Sequence, residues 1–178
     1  RPHRGLWFYR GAAWSNTIAR PTQPPLGRPA GIASDPALTL VWVADEDYQC
    51  LRKLLCPQAA AAYPAAQLES AGALGSWHRT RFRPPATIGM GSPVGVTMDP
   101  MGHAVYVHDR ARLYRFIDAS NTWEMLGNLP TPLINEGPSG LACDRFGSHL
   151  YLNSKQGSLW KVRAISGLTS ADFRQLAP

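Results

Sequence analysis

No apolar stretch in the 178-residue sequence is long enough to cross a bilayer. The longest, around Leu40 to Ala44, falls far short of the roughly 20 residues a spanning helix needs. There is also no block of about five or six like charges, so the 18 Lys and Arg set against 12 Asp and Glu are scattered cations. The resulting +6 admits an acidic protein or a nucleic acid as partner without selecting either. The densest groups, Arg79-Arg81-Arg83 and Arg110-Arg112-Arg115, read as solvated faces. Cysteine is scarce. Cys50, Cys56 and Cys143 include no paired CxxC and have no spaced histidine pair beside them, which excludes a finger-type zinc site. Cys143 alternates with apolar neighbours as a small core residue, whereas Cys50 and Cys56 would bridge only if two strands brought them together.

Signatures of catalysis are missing too. No GxSxG occurs, and His108 and Asp109 are adjacent, so in a strand they point to opposite faces. Gly89-x-Gly91-x-x-x-Gly95 has the wrong spacing for a phosphate loop and leads into a strand rather than a helix. Nothing in the opening RPHRGLWFYR is a Met or an apolar signal region, and the sequence names no compartment.

Glycine and proline, by contrast, are plentiful at 16 each, which suits many short strands joined by turns. The strands repeat. Pro29-Ala-Gly31-Ile32-Ala-Ser-Asp35, Pro93-Val-Gly95-Val96-Thr-Met-Asp99 and Pro138-Ser-Gly140-Leu141-Ala-Cys-Asp144 align without gaps. Each is followed by an apolar line: Val41-Trp42-Val43, Val105-Tyr106-Val107 or Leu150-Tyr151-Leu152. Such a line, apolar without alternation, implies a strand buried on both faces, as in sheets stacked face to face. A third line holds an apolar, aromatic, basic order: Arg112-Leu113-Tyr114-Arg115-Phe116 and Ser158-Leu159-Trp160-Lys161-Val162, with Gly5-Leu6-Trp7-Phe8-Tyr9-Arg10 as an earlier copy. A fourth carries Trp77, Trp123 or Phe173.

Each unit is therefore expected to be four antiparallel strands. After the first strand the Asp accepts from turn amides, and Gly102 or Gly147 takes the left-handed position. The first unit, Asp35-Pro36-Ala37-Leu38-Thr39, lacks that glycine and is expected to turn differently. Gly31 and Gly95 are 64 residues apart, and Gly95 and Gly140 only 45. The excess is an alanine-rich insertion, 56–76, expected to hold a helical turn within 65–71 as a surface excursion.

These units resemble NHL repeats: RPAGIASDP with VWVADEDYQCLRKL, then SPVGVTMDPMGHAVYVHDRARLYRFI, then GPSGLACDRFGSHLYLNSKQGSLWKV. Kelch repeats share the cadence of LYRFIDASNTWEMLGNLPTP, but no Gly-Gly pair precedes it. The NHL resemblance implies an all-β fold, a β-propeller of four-stranded blades, six in the closed family ring. This chain supplies three complete blades (28–83, 91–132 and 136–178) plus half of a fourth (5–27), in a single domain over 1–178. Such a set cannot close a ring of about four to eight blades. A piece of a longer protein is the preferred expectation, with a second chain supplying the missing blades as the other.

The resemblance also implies binding at the end bearing the loops between second and third strands. The candidate contacts there are Arg28, Asp45, Glu46, Asp47, His108, Asp109, Arg110, Asn153 and Lys155. The function expected is a non-catalytic module that binds a protein or peptide. RNA is an alternative partner, since some NHL propellers bind single strands on a basic end and Arg110, Arg112 and Lys155 would serve. The other alternative is a metal-dependent hydrolase or lyase of the propeller superfamily. A lactonase-like site would set an asparagine before the first-strand glycine, where Ala30, Val94 and Ser139 stand. A lyase of the peptide-amidating type needs converging histidines, and only His108 is well placed. No cofactor and no metal ligand are assigned.

Overall fold

The computed structural model describes residues 25–72 and 75–177, together with the backbone of Phe8–Arg10 and Ala13–Ser15. The prolines at 21 and 24 and the residues Gly5 to Trp7 of the earliest copy lie outside the described residues.

Proline and glycine cut the chain into short strands, and antiparallel pairing gathers these into three sheets that follow one another along the sequence. The first runs in spatial order β3 (Pro29–Ser34), β4 (Leu40–Asp45), β5 (Cys50–Leu55), β7 (Ser76–His78), β6 (Leu68–Ser70). The second is the meander β8 (Gly95–Met98), β9 (Val105–His108), β10 (Arg112–Ile117), β11 (Thr122–Asn128). In the third, β12 (Pro138–Cys143), β13 (His149–Ser154), β14 (Leu159–Arg163) and β15 (Arg174–Ala177) repeat the plan. A two-stranded unit, β1 (Phe8–Arg10) with β2 (Ala13–Ser15), precedes them. The first strands β3, β8 and β12 adjoin one another, which makes them the inner edge of the stack.

Burial follows the apolar second line. Trp42, Val43, Val105, Val107, Leu150 and Leu152 are shut off from water, because the sheets pack face to face. One core fills the space between the first two sheets, where Trp42 meets Phe116 edge-on with ring centroids 5.4 Å apart. A second lies between the later two, around Leu113, Leu126, Leu150 and Trp160. Tyr151 is only half-buried, since it points from the last sheet away from the stack.

A repeated contact ties neighbouring sheets. On the face each sheet turns toward the next, an aromatic residue of the second strand is paired with a basic residue of the third: Trp42 with Lys53, Tyr106 with Arg115, Tyr151 with Lys161. Lys53 then reaches Asp118, at the turn between β10 and β11. Arg115 likewise reaches Ser166, at the matching turn of the third sheet (3.4 Å), besides Glu124 in its own. Among the described residues Lys161 meets Tyr151 of its own sheet, with its ammonium 5.7 Å over the ring.

Two expectations are corrected. The first hairpin turn does not differ from the others: Leu38 donates its N–H to Asp35 (3.0 Å) just as Gly102 donates to Asp99 (2.9 Å) and Gly147 to Asp144 (3.1 Å). Leucine itself adopts the left-handed conformation, φ 55°, because the carboxylate and main-chain bonds of the turn fix the backbone whatever residue is there. The insertion also folds differently. A helical turn α1 (Pro57–Ala60), capped by the Cys56 thiol, precedes the expected one, and 65–71 hold one 3₁₀ turn (Ala65–Gln67) followed by the strand β6. That strand pairs with β7, making the first sheet five-stranded rather than four-stranded. Cys50 and Cys56 stand at opposite ends of β5, and all three cysteines are free thiols.

Candidate functional site

At one end of the stack the second-to-third-strand loops meet the segments that lead into each first strand. An aspartate at or just past the end of the second strand holds the two together in the first two sheets. Asp45 accepts from the N–H of Gly27 (2.9 Å) and of Tyr48 (3.3 Å). Asp109 accepts from the N–H of Gly91 (2.8 Å) and Arg112 (2.8 Å) and from the Tyr114 hydroxyl (2.6 Å). Burial, with Asp109 adding to it, pushes the Tyr114 hydroxyl above its usual range. In the third sheet Ser154 takes this place and accepts from Gln156 and Ser158. The two aspartates are thus buried turn fasteners, with their oxygens turned onto backbone amides and, for Asp109, onto Tyr114 and Arg112 as well.

His108 is buried as well. It lies against Gly95, between the second and third sheets, and among the described residues its Nε2 makes no hydrogen bond of good geometry. Burial pushes its pKa down to about 4, so the imidazole is neutral at ordinary pH. Asn153, its counterpart, lies exposed over Gly140, and Lys155 rests its stem against Gly137.

Four of the sequence candidates do come together at the surface. Glu46 receives Arg28 at 2.7 Å from its own sheet and Arg110 at 3.1 Å from the next, and Arg28 is also 3.7 Å from Asp47. Among the described residues no hydrogen bond or ion pair joins the side chain of Asn153 or Lys155 to Arg28, Glu46 or Arg110. Arg110, Arg112 and Arg28 therefore all face carboxylates.

Beside this network the structure opens a cleft of roughly 270 Å³, lined by Asp47, Tyr48, Gln49, Arg83, Pro84 and Pro85 among others. The Arg81 guanidinium stacks 3.7 Å over the Tyr48 ring and fixes one wall. Of these residues the sequence reading had Asp47 alone as a candidate contact, and took Arg81 and Arg83 for part of a solvated face. The signal was the position of 84–90: a link from fourth strand to next first strand must share the end with the loops it had picked out. Gln49 (φ 49°) and Arg110 (φ 78°) hold left-handed backbone without being glycine, and both lie in these loops. Non-glycine residues in that region concentrate at functional loops. Among the described residues no three His, Cys, Asp or Glu side chains converge as a metal site would require.

Three stacked antiparallel meanders with their first strands side by side define a segment of a β-propeller. No family model and no curated protein matches the sequence. Solved structures do match the fold. A chain of the nidogen/laminin complex is similar with a TM-score of 0.57 and 17% identity over 86% of this chain. A structural-genomics protein of unknown function from Bacteroides thetaiotaomicron VPI-5482 gives 0.56 and 15% over 85%. Hydrazine synthase of Kuenenia stuttgartiensis gives 0.49 and 10% over 76%. This chain spans 49% of the nidogen/laminin chain, 34% of the Bacteroides protein and 32% of the synthase.

Proposed function

We propose that the chain is part of an NHL-like propeller that binds a protein or peptide at its loop-bearing end. The cleft between Tyr48 and Arg83, set beside the Arg28–Glu46–Arg110 network, carries this reading. A cleft walled by Tyr48, Pro84 and Pro85, with the exposed Arg83 guanidinium in its lining, suits an extended segment bearing a carboxylate. One structural neighbour comes from a nidogen/laminin complex, which agrees with a protein as partner. RNA draws less support, because the arginines it would use already face carboxylates. The outward face of the last sheet, with Tyr151 and Lys161, is where a further blade would stack, supplied by another segment or a second chain.

The test is selection of peptides from a random displayed library on the immobilised chain. Enriched peptides should lose at least about tenfold in affinity for a Tyr48→Ser/Arg83→Glu variant, the scale of a lost charged anchor. Failure to enrich any sequence, or equal binding by the variant, refutes this surface.

A further inference from the structure

The outward face of the last sheet matches, position by position, the face by which the second sheet meets the third. Gly140 stands where Gly95 does, Tyr151 where Tyr106 does, and Lys161 where Arg115 does. Leu126 and Leu176 each sit at the bulge where third and fourth strands pair. Leu126 is 1% exposed because the third sheet covers it, with Leu168 donating its N–H to the Leu126 carbonyl (2.7 Å), whereas Leu176 is 45% exposed. The matched residues form a stacking face that no sheet covers among the described residues.

Charge decides which blade fits it. In the first two sheets the basic residue of the third strand reaches forward to the third-to-fourth-strand turn of the next sheet, and it is neutralised in two different ways. Lys53 takes a carboxylate, Asp118, from that next sheet. Arg115 lies cross-strand from Glu124, which neutralises it, and takes only the Ser166 hydroxyl from the next sheet (3.4 Å). In the last sheet the residue opposite Lys161 is Arg174, a second cation where the second sheet has Glu124. Residues 138–177 hold two carboxylates against five Lys and Arg, and both are engaged: Asp144 by Ser148 and His149, Asp172 by Thr169 and Arg163. Among the described residues, then, neither Lys161 nor Arg174 meets a carboxylate. A cation that stacking would bury needs one.

We propose that this face is completed by a further propeller blade with an aspartate or glutamate in its third-to-fourth-strand turn, and that this blade is not a second copy of the chain. A copy stacked head to tail would bring its first residues, and 1–27 contain four arginines and no Asp or Glu. The β1–β2 turn itself is Gly11-Ala12, entered from Arg10. A copy stacked back to back would set Lys161 and Arg174 against their own equals. Both arrangements desolvate like charges together, whereas an acidic turn repeats the contact of Lys53 with Asp118. The inference rests on the reading of this face as a stacking face and is independent of the cleft.

The experiment extends the whole chain at its carboxyl end with a second copy of residues 84–132, whose turn carries the copy of Asp118. Hydrogen exchange of the β13 and β14 amides should slow at least about tenfold relative to the unextended chain, and Asp118→Lys in the added copy should abolish that gain. Asp118→Ser in the added copy should protect less than aspartate, but equally well once Arg174→Glu rebuilds the Arg115–Glu124 arrangement. Equal slowing by the aspartate and lysine copies overturns the acidic turn and leaves stacking intact. No slowing by any copy overturns the stacking reading with it. The unextended chain should sediment as a monomer, and a dimer cross-linked through Lys161 overturns the exclusion of a second copy.

Discussion

The Lys53 ammonium in the first blade donates to the Asp118 carboxylate of the second, 65 residues along the chain, in a site where the lysine is 2% exposed and the aspartate 27%. The Tyr63 hydroxyl, from the insertion, accepts from the same ammonium at 2.6 Å. The insertion is therefore more than an excursion: it closes the contact between two blades.

The two halves of that pair should be unequal under mutation. Asp118→Asn strands a cation in a dry site and should cost about 3 kcal/mol, while Lys53→Met leaves a carboxylate that water still reaches and should cost about 1 kcal/mol. Urea unfolding of the two variants gives the comparison. Equal losses would mean that the lysine is hydrated after all.

What could be read from the sequence was whatever repeats at fixed spacing. The glycine, aspartate and aromatic lines gave strand order, hairpin turns and the buried middle strand, because turn chemistry and two-sided burial act over a few residues. Lys53 with Asp118, and Tyr48 with Arg83, depend on which loops the stacking brings together, and no local pattern holds that information. Asp45, His108 and Asp109 were expected as contacts at the loop-bearing end, but spacing alone could not tell a carboxylate facing a partner from one turned inward onto Gly27 or Gly91.

Leu38 offers a stabilising change. Leu38→Gly removes the left-handed strain and should raise stability by about 0.5 kcal/mol, after allowing for the greater freedom of glycine in the unfolded chain. Gly102→Ala and Gly147→Ala impose the strain instead and should each lose about 1 kcal/mol. Thermal melts should therefore shift in opposite directions at equivalent positions of the three blades.

His108 makes stability depend on pH. Its folded pKa of about 4 lies below the ordinary 6.5, so between those values the unfolded chain binds the proton and the folded chain does not. The contribution is whole above pH 6.5 and is lost as pH falls toward 4, reaching about 2 kcal/mol at pH 5. His78, lowered by burial and then by Lys53, adds in the same direction. Urea unfolding at pH 7 and pH 5 should show a smaller drop in His108→Gln than in wild type, and an equal drop would place the titration elsewhere.

Gly95 and Gly140 occupy one motif position but face different surroundings. A Cβ on Gly95 would fall 2.3 Å from His108 Nε2 and 3.1 Å from the Leu141 Cβ of the next blade, and the fully buried imidazole cannot retreat. Gly95→Ala should cost about 2 kcal/mol by overpacking. A Cβ on Gly140 meets the Asn153 amide oxygen at 2.2 Å, but that side chain is exposed and can swing away, so Gly140→Ala should stay within about 0.5 kcal/mol of wild type. The contrast arises because, among the described residues, no further blade covers Gly140. In an assembly that adds one, the Asn153 amide would be confined as His108 is, and Gly140→Ala would become as costly as Gly95→Ala. Measuring both variants in the isolated chain and in any such assembly reads out whether that face is occupied.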